Sequence, residues 1–410
     1  MAARRPVVLH VIPSVAARYG GPSAAVVGMC RALVLVGVRA AIATTDADGL
    51  GRLPVDLETW TAHEGVESIF FRRRLSEAFK WSPGLSTWLR SHVSDFDAVH
   101  VHAVFSHSSI AAGQACRRAG VPYVVRPLGT LDPWSVRRKR WQKRALLALG
   151  ATDLLAGAAA IHYTTAEEQR LAESRFPSLP HGVVVPVGID DSCFDVAAST
   201  TGSREPYVLA LSRLDAKKRI EWVIQAWHRL ADVAGNGSWR LVIAGDGDPA
   251  CVARLRSLAA RGPSADRITF AGWVSGDRKR ALLRGAALFV LPSHQENLGL
   301  GLVEAMACGV PALVTGGVNL GREIEIVQAG WRVPDDPGAF TDALRAAMSS
   351  DEEREGRGRK ARAFAERFRW PAITAQLVDL YDRVARMPGA MPMSSVRGAS
   401  DVGSLTTTRL

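Results

Sequence analysis

Between Ala287 and Pro311 the chain reads as an apolar run, a proline, a glycine-containing loop and a short helix, and this order restricts the fold more than any other stretch. The run from Ala287 to Leu291 is continuously apolar, as a strand buried on both faces requires, and Pro292 stops it. Leu302 to Cys308, rich in Ala, Met and Glu, predicts a helix that Gly309 ends. A strand fed through glycines into a helix start belongs to a parallel sheet covered by helices. The helix N-terminus turns its N–H groups toward an anion, with about 0.3–1 kcal/mol of help from the dipole. That anion position falls near Gly299 to Gly301. Glu296 lies on the loop before it and Glu304 about one turn inside the helix, so the two acids flank a bound group instead of touching each other. A carboxylate accepting from neighbouring hydroxyls is a common way to hold a sugar or ribose, and charge assistance makes such bonds roughly twice as strong as neutral ones. The competing reading leaves Glu304 as a complement to the helix dipole and Glu296 as a solvated loop residue.

A second strand, Tyr207 to Leu211, runs into Ser212-Arg213-Leu214-Asp215-Ala216-Lys217-Lys218-Arg219. Arg213 can fork onto phosphate oxygens and Lys218 can supply a point charge, which neutralises a diphosphate without a metal. On its own the same stretch is a solvated basic turn before a helix. Farther on, Trp239 to Ala244 predicts a strand ending in Gly245-Asp246-Gly247, and Gly245-x-Gly247-x-x-Ala250 formally matches a dinucleotide fingerprint. That fingerprint needs an acid at the end of the following strand, about 20 residues on. Asp266 precedes the strand Ile268 to Gly272 and falls at the wrong end.

Near the start, Val7 to Ile12 predicts a strand, followed by a loop in which Gly20 and Gly21 permit close backbone approach, and then a helix with Ala24, Val27, Met29 and Leu33 on its apolar side. Arg4 and Arg5 before an apolar run suggest a signal peptide, but the run is short, holds His10 and leads into a glycine turn, so it reads as the first strand. His100 and His102 share one face of the strand that begins near Ala98. No carboxylate or cysteine follows at ligand spacing, which favours satisfied imidazoles over a metal.

The segment Pro292-Ser293-x-x-Glu296-Asn297-Leu298-Gly299, followed by Glu304-Ala305-Met306-Ala307-Cys308-Gly309-Val310-Pro311, resembles the Glu-x7-Glu signature of the family 4 retaining glycosyltransferases, group 1, of the GT-B fold. The resemblance covers nearly the whole length before the tail. It implies that Glu296 holds the donor sugar, that Glu304 binds the nucleotide ribose, and that the Asn297, Leu298 and Gly299 backbone meets sugar and phosphate. Many members carry Phe where Leu298 stands. Arg213 and Lys218 sit at the family's spacing for the leaving diphosphate, although Arg219 replaces a frequent Gly. Gly245 and Val274 are then a turn beside the nucleotide and the start of the loop that meets the base, and Gly20 and Gly21 lie near diphosphate and acceptor. Leu128-Gly129 stands where the family commonly has His-Gly.

The implied fold is α/β, two doubly wound Rossmann-like domains facing a central cleft, and the 410 residues suffice for two ordinary cores. Composition breaks at Ala197 to Glu205, which predicts an N-terminal domain over 1–196, a nucleotide-sugar-binding domain over 197–369, a helix over 370–386 crossing back to the first domain, and a disordered tail over 387–410. The expected activity is retaining, metal-independent, hexosyltransferase-type transfer from a nucleotide-sugar donor to a hydroxyl of a saccharide or lipid-linked glycan, in cell-surface polysaccharide biosynthesis, with no cofactor. The net charge of +11 points to anionic partners, and much of it lies in 134–147, where Arg and Lys alternate with Trp and Leu in a pattern suited to peripheral contact with an anionic membrane. Five scattered cysteines and no stretch long enough to span a bilayer predict a cytoplasmic protein, at the inner face of the membrane where that contact is made. Two readings compete: a basic nucleic-acid-binding protein, which lacks aromatic-stacking or zinc spacing, and a dinucleotide-dependent oxidoreductase, which rests on the flawed Gly245 pattern.

Overall fold

The computed structural model describes residues 4–133, 135, 140–195, 205–231 and 239–387. Two compact units divide the chain: residues up to Gly188 together with those from Trp370 onward, and Ile189–Arg369. The division comes ahead of the compositional break. Ile189 is bridged to Arg369 and its N–H donates to the Phe368 carbonyl at 2.9 Å, so the chain after Gly188 already belongs to the second unit. Most of the compositional break and the tail beyond Met387 lie outside the described residues.

In the first unit β1 (Val7–Val11), β2 (Arg39–Thr45), β3 (Trp60–His63), β4 (Val66–Phe71), β5 (Ala98–His102), β6 (Tyr123–Arg126), β7 (Ala160–Tyr163) and β8 (Gly182–Val184) form one sheet. Its order is β8-β7-β6-β5-β1-β2-β4-β3, parallel throughout except where β3 meets β4. Alternation along β1 serves two cores: Leu9 and Val11 join one cluster, while Val8 joins another with Val26, Met29 and Leu33 of the helix Gly21–Leu35. Ala24, expected on that helix's apolar side, is exposed. The helix Trp370–Ala385 packs in this same unit through Ile373, Leu377 and Tyr381. A Cβ on Gly28 would lie 2.6 Å from the Trp370 ring and one on Gly188 2.3 Å from it, so both positions admit only hydrogen there.

The second unit holds β9 (Tyr207–Leu211), β10 (Arg240–Ala244), β11 (Ile268–Gly272), β12 (Leu288–Leu291), β13 (Ala312–Thr315) and β14 (Gly330–Val333), all parallel in the order β11-β10-β9-β12-β13-β14. Val208, Ala210, Ile243, Leu288, Val290 and Leu313 build its core with Ile224, Trp227 and Phe340 from the covering helices. Strand order reverses at β9, between β10 and β12. The loops leaving β9 and β12 therefore stand side by side at the carboxyl edge, the usual ligand position in such sheets.

Candidate functional site

The loop after β9 is short and strongly held. The Asp215 carboxylate accepts from Lys217 N–H at 2.8 Å and closes the turn Ala216–Lys218. Arg219 then takes φ 51, a left-handed conformation that explains why glycine is frequent at this position in the family it resembles. Its guanidinium is not a free second cation. It pairs with Asp335, lies 2.6 Å from His294 Nδ1 and stacks over Trp222 at 4.2 Å. Because His294 N–H also donates to the Lys217 carbonyl at 2.8 Å, the β9 and β12 loops are fastened together.

That fastening brings Lys218 and Glu296, far apart in the chain, into an ion pair in which both side chains are largely buried. Burial, followed by the Lys217 and Arg213 charges, pulls the Lys218 ammonium down from an ordinary lysine value to about 7, with Asp215 opposing. Arg213 is exposed, and its guanidinium has no hydrogen-bond or ion-pair partner among the described residues. The Glu296 backbone is fixed on both sides, its N–H donating to Gly317 at 2.8 Å and its carbonyl accepting from Asn319 N–H at 3.0 Å. Asn319 Nδ2 holds the Asn297 amide oxygen at 3.2 Å, and Leu298 is buried, so the residue that replaces Phe is a packing element.

Gly299 caps the helix Leu300–Ala307 at φ 74, and a Cβ on Gly301 would lie 2.9 Å from Leu211 Cδ2, which sets the helix start close against the end of β9. Glu304 sits inside this helix and Lys279 Nζ reaches its Oε1 at 2.7 Å. The Gly245 turn serves the same loop by contact. A Cβ there would be 1.8 Å from the Ser212 carbonyl oxygen, and one on Gly247 2.0 Å from that of Leu214. Both glycines let the backbones touch, and Gly245 N–H also donates to Gly272 at 2.8 Å, just before the buried Val274. The second unit thus gathers Arg213, Lys218, Gly245, Val274, Glu296, Asn297, Leu298, Gly299 and Glu304 on loops at one carboxyl edge. It presents two carboxylates, each with a lysine, one free guanidinium and a glycine-capped helix start.

Gly20 and Gly21 belong to the first unit, where Gly20 takes φ 71 and precedes the helix Gly21–Leu35 with no side-chain cap. Leu128 also takes a left-handed φ of 59, and the turn is held by Glu168, which accepts from Gly129 N–H at 2.6 Å and Thr164 N–H at 2.8 Å. His100 and His102 are members of a larger buried group that the sequence reading missed. Tyr381 Oη lies 2.7 Å from His100 Nδ1, His100 Nε2 lies 3.1 Å from His162 Nδ1, and His162 Nε2 donates to the Val185 carbonyl at 2.6 Å. His10 Nδ1 lies 3.1 Å from His102 Nε2, and His10 Nε2 and His102 Nδ1 have no partner among the described residues. His10, His100 and His102 are near enough to share a metal ion. Both nitrogens of His100 are occupied, however, and the buried Arg126 guanidinium beside the cluster repels a cation. Register brings these residues together, His10 pairing with His100 and His102 with Arg126.

Of the basic segment 134–147, residues 134 and 136–139 lie outside the described residues. Arg140–Leu146 is helical, Trp141 is exposed, and Lys143 donates to the Ser135 carbonyl at 2.5 Å. Among the described residues no helix is long and apolar enough to cross a membrane.

Two doubly wound parallel halves define the GT-B class, and solved glycosyltransferases share the arrangement. Sucrose-phosphate synthase from Thermosynechococcus elongatus superposes with a TM-score of 0.77 at 20% identity over 92% of this chain and 98% of its own. HepE from Anabaena in complex with UDP-glucose gives 0.73 at 17% identity over 92% and 100%. The Glycosyl transferase 4-like domain family matches residues 20–188 and the Glycosyl transferases group 1 family residues 205–350. The chain belongs to the group 1, family 4-type glycosyltransferases. A relative named D-inositol 3-phosphate glycosyltransferase, from Xylanimonas cellulosilytica, is 29% identical over 58% of this chain and 60% of its own length. One from Mycobacterium tuberculosis, named GDP-mannose-dependent alpha-(1-6)-phosphatidylinositol dimannoside mannosyltransferase, is 30% identical over 48% and 51%. The chain thus spans about a third to three fifths of the curated relatives it matches.

Proposed function

We propose that this protein transfers a hexosyl group from a nucleotide-diphosphate donor to a hydroxyl of a saccharide or lipid-linked glycan, with retention and without a metal. The observation that carries the reading is the convergence of Lys218, Glu296 and the partner-free Arg213 at the glycine-capped helix start where β9 and β12 diverge. Arg213 and Lys218 neutralise the leaving diphosphate, Glu296 takes sugar hydroxyls, and Glu304 takes the ribose diol. The departing phosphate oxygen accepts the acceptor's proton, so no separate base is required. Each preorganised group of this kind contributes about 2.7–4 kcal/mol to the transition state. The names of the relatives support glycosyl transfer to polyol or lipid-linked hydroxyls, and one names GDP-mannose as donor. A role in cell-surface glycan synthesis at the cytoplasmic face of the membrane, reached through 134–147, agrees with the exposed Trp141 in the basic helix.

Thermal unfolding with UDP-, GDP- and ADP-sugars tests the reading directly. A donor at about 100 times its Kd adds roughly 2.7 kcal/mol of stability. A shift confined to one base and lost in Glu304→Ala supports the donor site. If no donor shifts the transition and no sugar transfer is detected, the reading fails.

A further inference from the structure

Glu304 has a partner that no sequence motif singled out. Lys279, on the helix Gly276–Gly285, donates to Glu304 Oε1 at 2.7 Å, and its Nζ also stands 2.5 Å from Oε2. Oε2 itself is buried. Both side chains are mostly shielded, 28% and 16% exposed, and Lys279 is the one ion-pair partner of Glu304 among the described residues. Around the carboxylate lie the thiols of Cys193 and Cys308, whose ionisation is suppressed by burial and, to a smaller extent, by the Glu304 charge. Neither thiol stabilises an anion as a lysine does. A carboxylate that accepts hydrogen bonds from two hydroxyls must be held in one orientation. Lys279, from a neighbouring helix, stands within 2.7 Å of both carboxylate oxygens and so fixes the orientation of Glu304.

We propose that Lys279 is a positioning residue for nucleotide recognition, orienting the Glu304 carboxylate so that it receives a ribose hydroxyl. The proposal rests on the nucleotide-sugar reading above and adds to it the residue that sets ribose recognition. Its role differs from that of Lys218, whose partner Glu296 faces the sugar. Lys279 acts through Glu304, so its removal weakens binding of the nucleotide only as far as the ribose hydroxyls contribute.

Calorimetric titration of the full chain with UDP, GDP and ADP, and with the 2′,3′-dideoxy form of whichever binds, separates this from a purely structural helix–helix tie. Lys279→Met is expected to weaken the ribonucleotide about tenfold, the loss of one charge-assisted contact, while the dideoxy nucleotide binds the variant and the natural protein alike. Lys279→Arg should recover most of the loss, and in a Glu304→Gln background Lys279→Met should add none. Equal weakening toward both nucleotides, or unchanged ribonucleotide affinity in Lys279→Met, overturns the proposal and leaves the donor-site reading intact. A natural protein that binds none of the diphosphates overturns both. A melting transition of Lys279→Met matching that of the natural protein shows that the fold is retained.

Discussion

Each unit of this protein buries a polar cluster beside its parallel sheet, and the two clusters are held in opposite ways. In the second unit the groups are charged, partly to fully buried and matched, Lys218 with Glu296 and Lys279 with Glu304, on loops and helix starts at the carboxyl edge. In the first unit His10, His100, His102 and His162 lie on the sheet itself, and burial together with the Arg126 charge keeps them neutral. Ion pairs on loops at the carboxyl edge are, in the function proposed above, open to an incoming anion or hydroxyl. Neutral imidazoles inside a sheet have no such access, and any proton they gain is a charge in the core.

The largest effect expected from this contrast is on stability against pH. The folded-state values of His10 and His162 fall to about 3, below the unfolded value near 6.5. The unfolded chain therefore takes up protons first as pH drops, and stability present above about 6.5 is lost progressively down to the folded values. At pH 5 each of these two histidines removes about 2 kcal/mol, and His100 and His102 act in the same direction. Chemical unfolding at pH 7 and pH 5, followed by a probe in the first unit, should show this fall. A midpoint that stays level between those values would refute the neutral cluster.

Next in size, Glu296→Ala and Lys218→Ala should each lower kcat by about 10²–10³ if the second unit carries the chemistry. Near-normal turnover in either would break the comparison on its functional side. The same pair predicts a pH effect of opposite origin: as pH rises through about 7 the free protein loses the Lys218 charge, so kcat/KM should fall about tenfold by pH 8. Lys218→Arg, which keeps its charge, should remove that limb from the profile even if the plateau drops.

A smaller effect is expected at Gly245, where a Cβ meets the Ser212 carbonyl at 1.8 Å and φ is 128. Gly245→Ala should destabilise the second unit by about 1–3 kcal/mol and weaken nucleotide binding through the displaced loop. Smallest of all, Arg219→Gly relieves a left-handed backbone of about 1 kcal/mol but gives up the Asp335 pair, so unfolding should show little net change.

Much of this site was legible because its parts are local. Pro292, Gly299 and Gly309 punctuate a strand, loop and helix that appear where expected, with β12 at Leu288–Leu291 and the helix at Leu300–Ala307. Arg213, Lys218, Glu296 and Glu304 were visible as residue types at fixed offsets from strand ends. What could not be read was which of them touch. Lys279 lies in an ordinary amphipathic helix, and nothing in its neighbourhood marks it as the partner of Glu304. The histidines were equally hidden, since His10, His100 and His162 meet only when β1, β5, β6 and β7 align in register. The division after Gly188 was hidden for a related reason: Ser, Thr and Gly mark exposed chain, whereas the pairing of Ile189 with Arg369 joins that stretch to the second unit.

By itself, then, the order of residues determined the two α/β halves, the glycine-capped helix start and the identities of the two carboxylates and two cations beside it. These follow from short-range physics: apolar periodicity, proline and glycine backbone limits, and the loop-to-helix offset. Only the tertiary structure decided that each carboxylate has its own lysine, that Arg219 is a fastening for the β12 loop, and that four histidines share one dry face. Those outcomes depend on strand order and helix packing, which bring distant side chains within a few ångströms and exclude the water that would otherwise separate them.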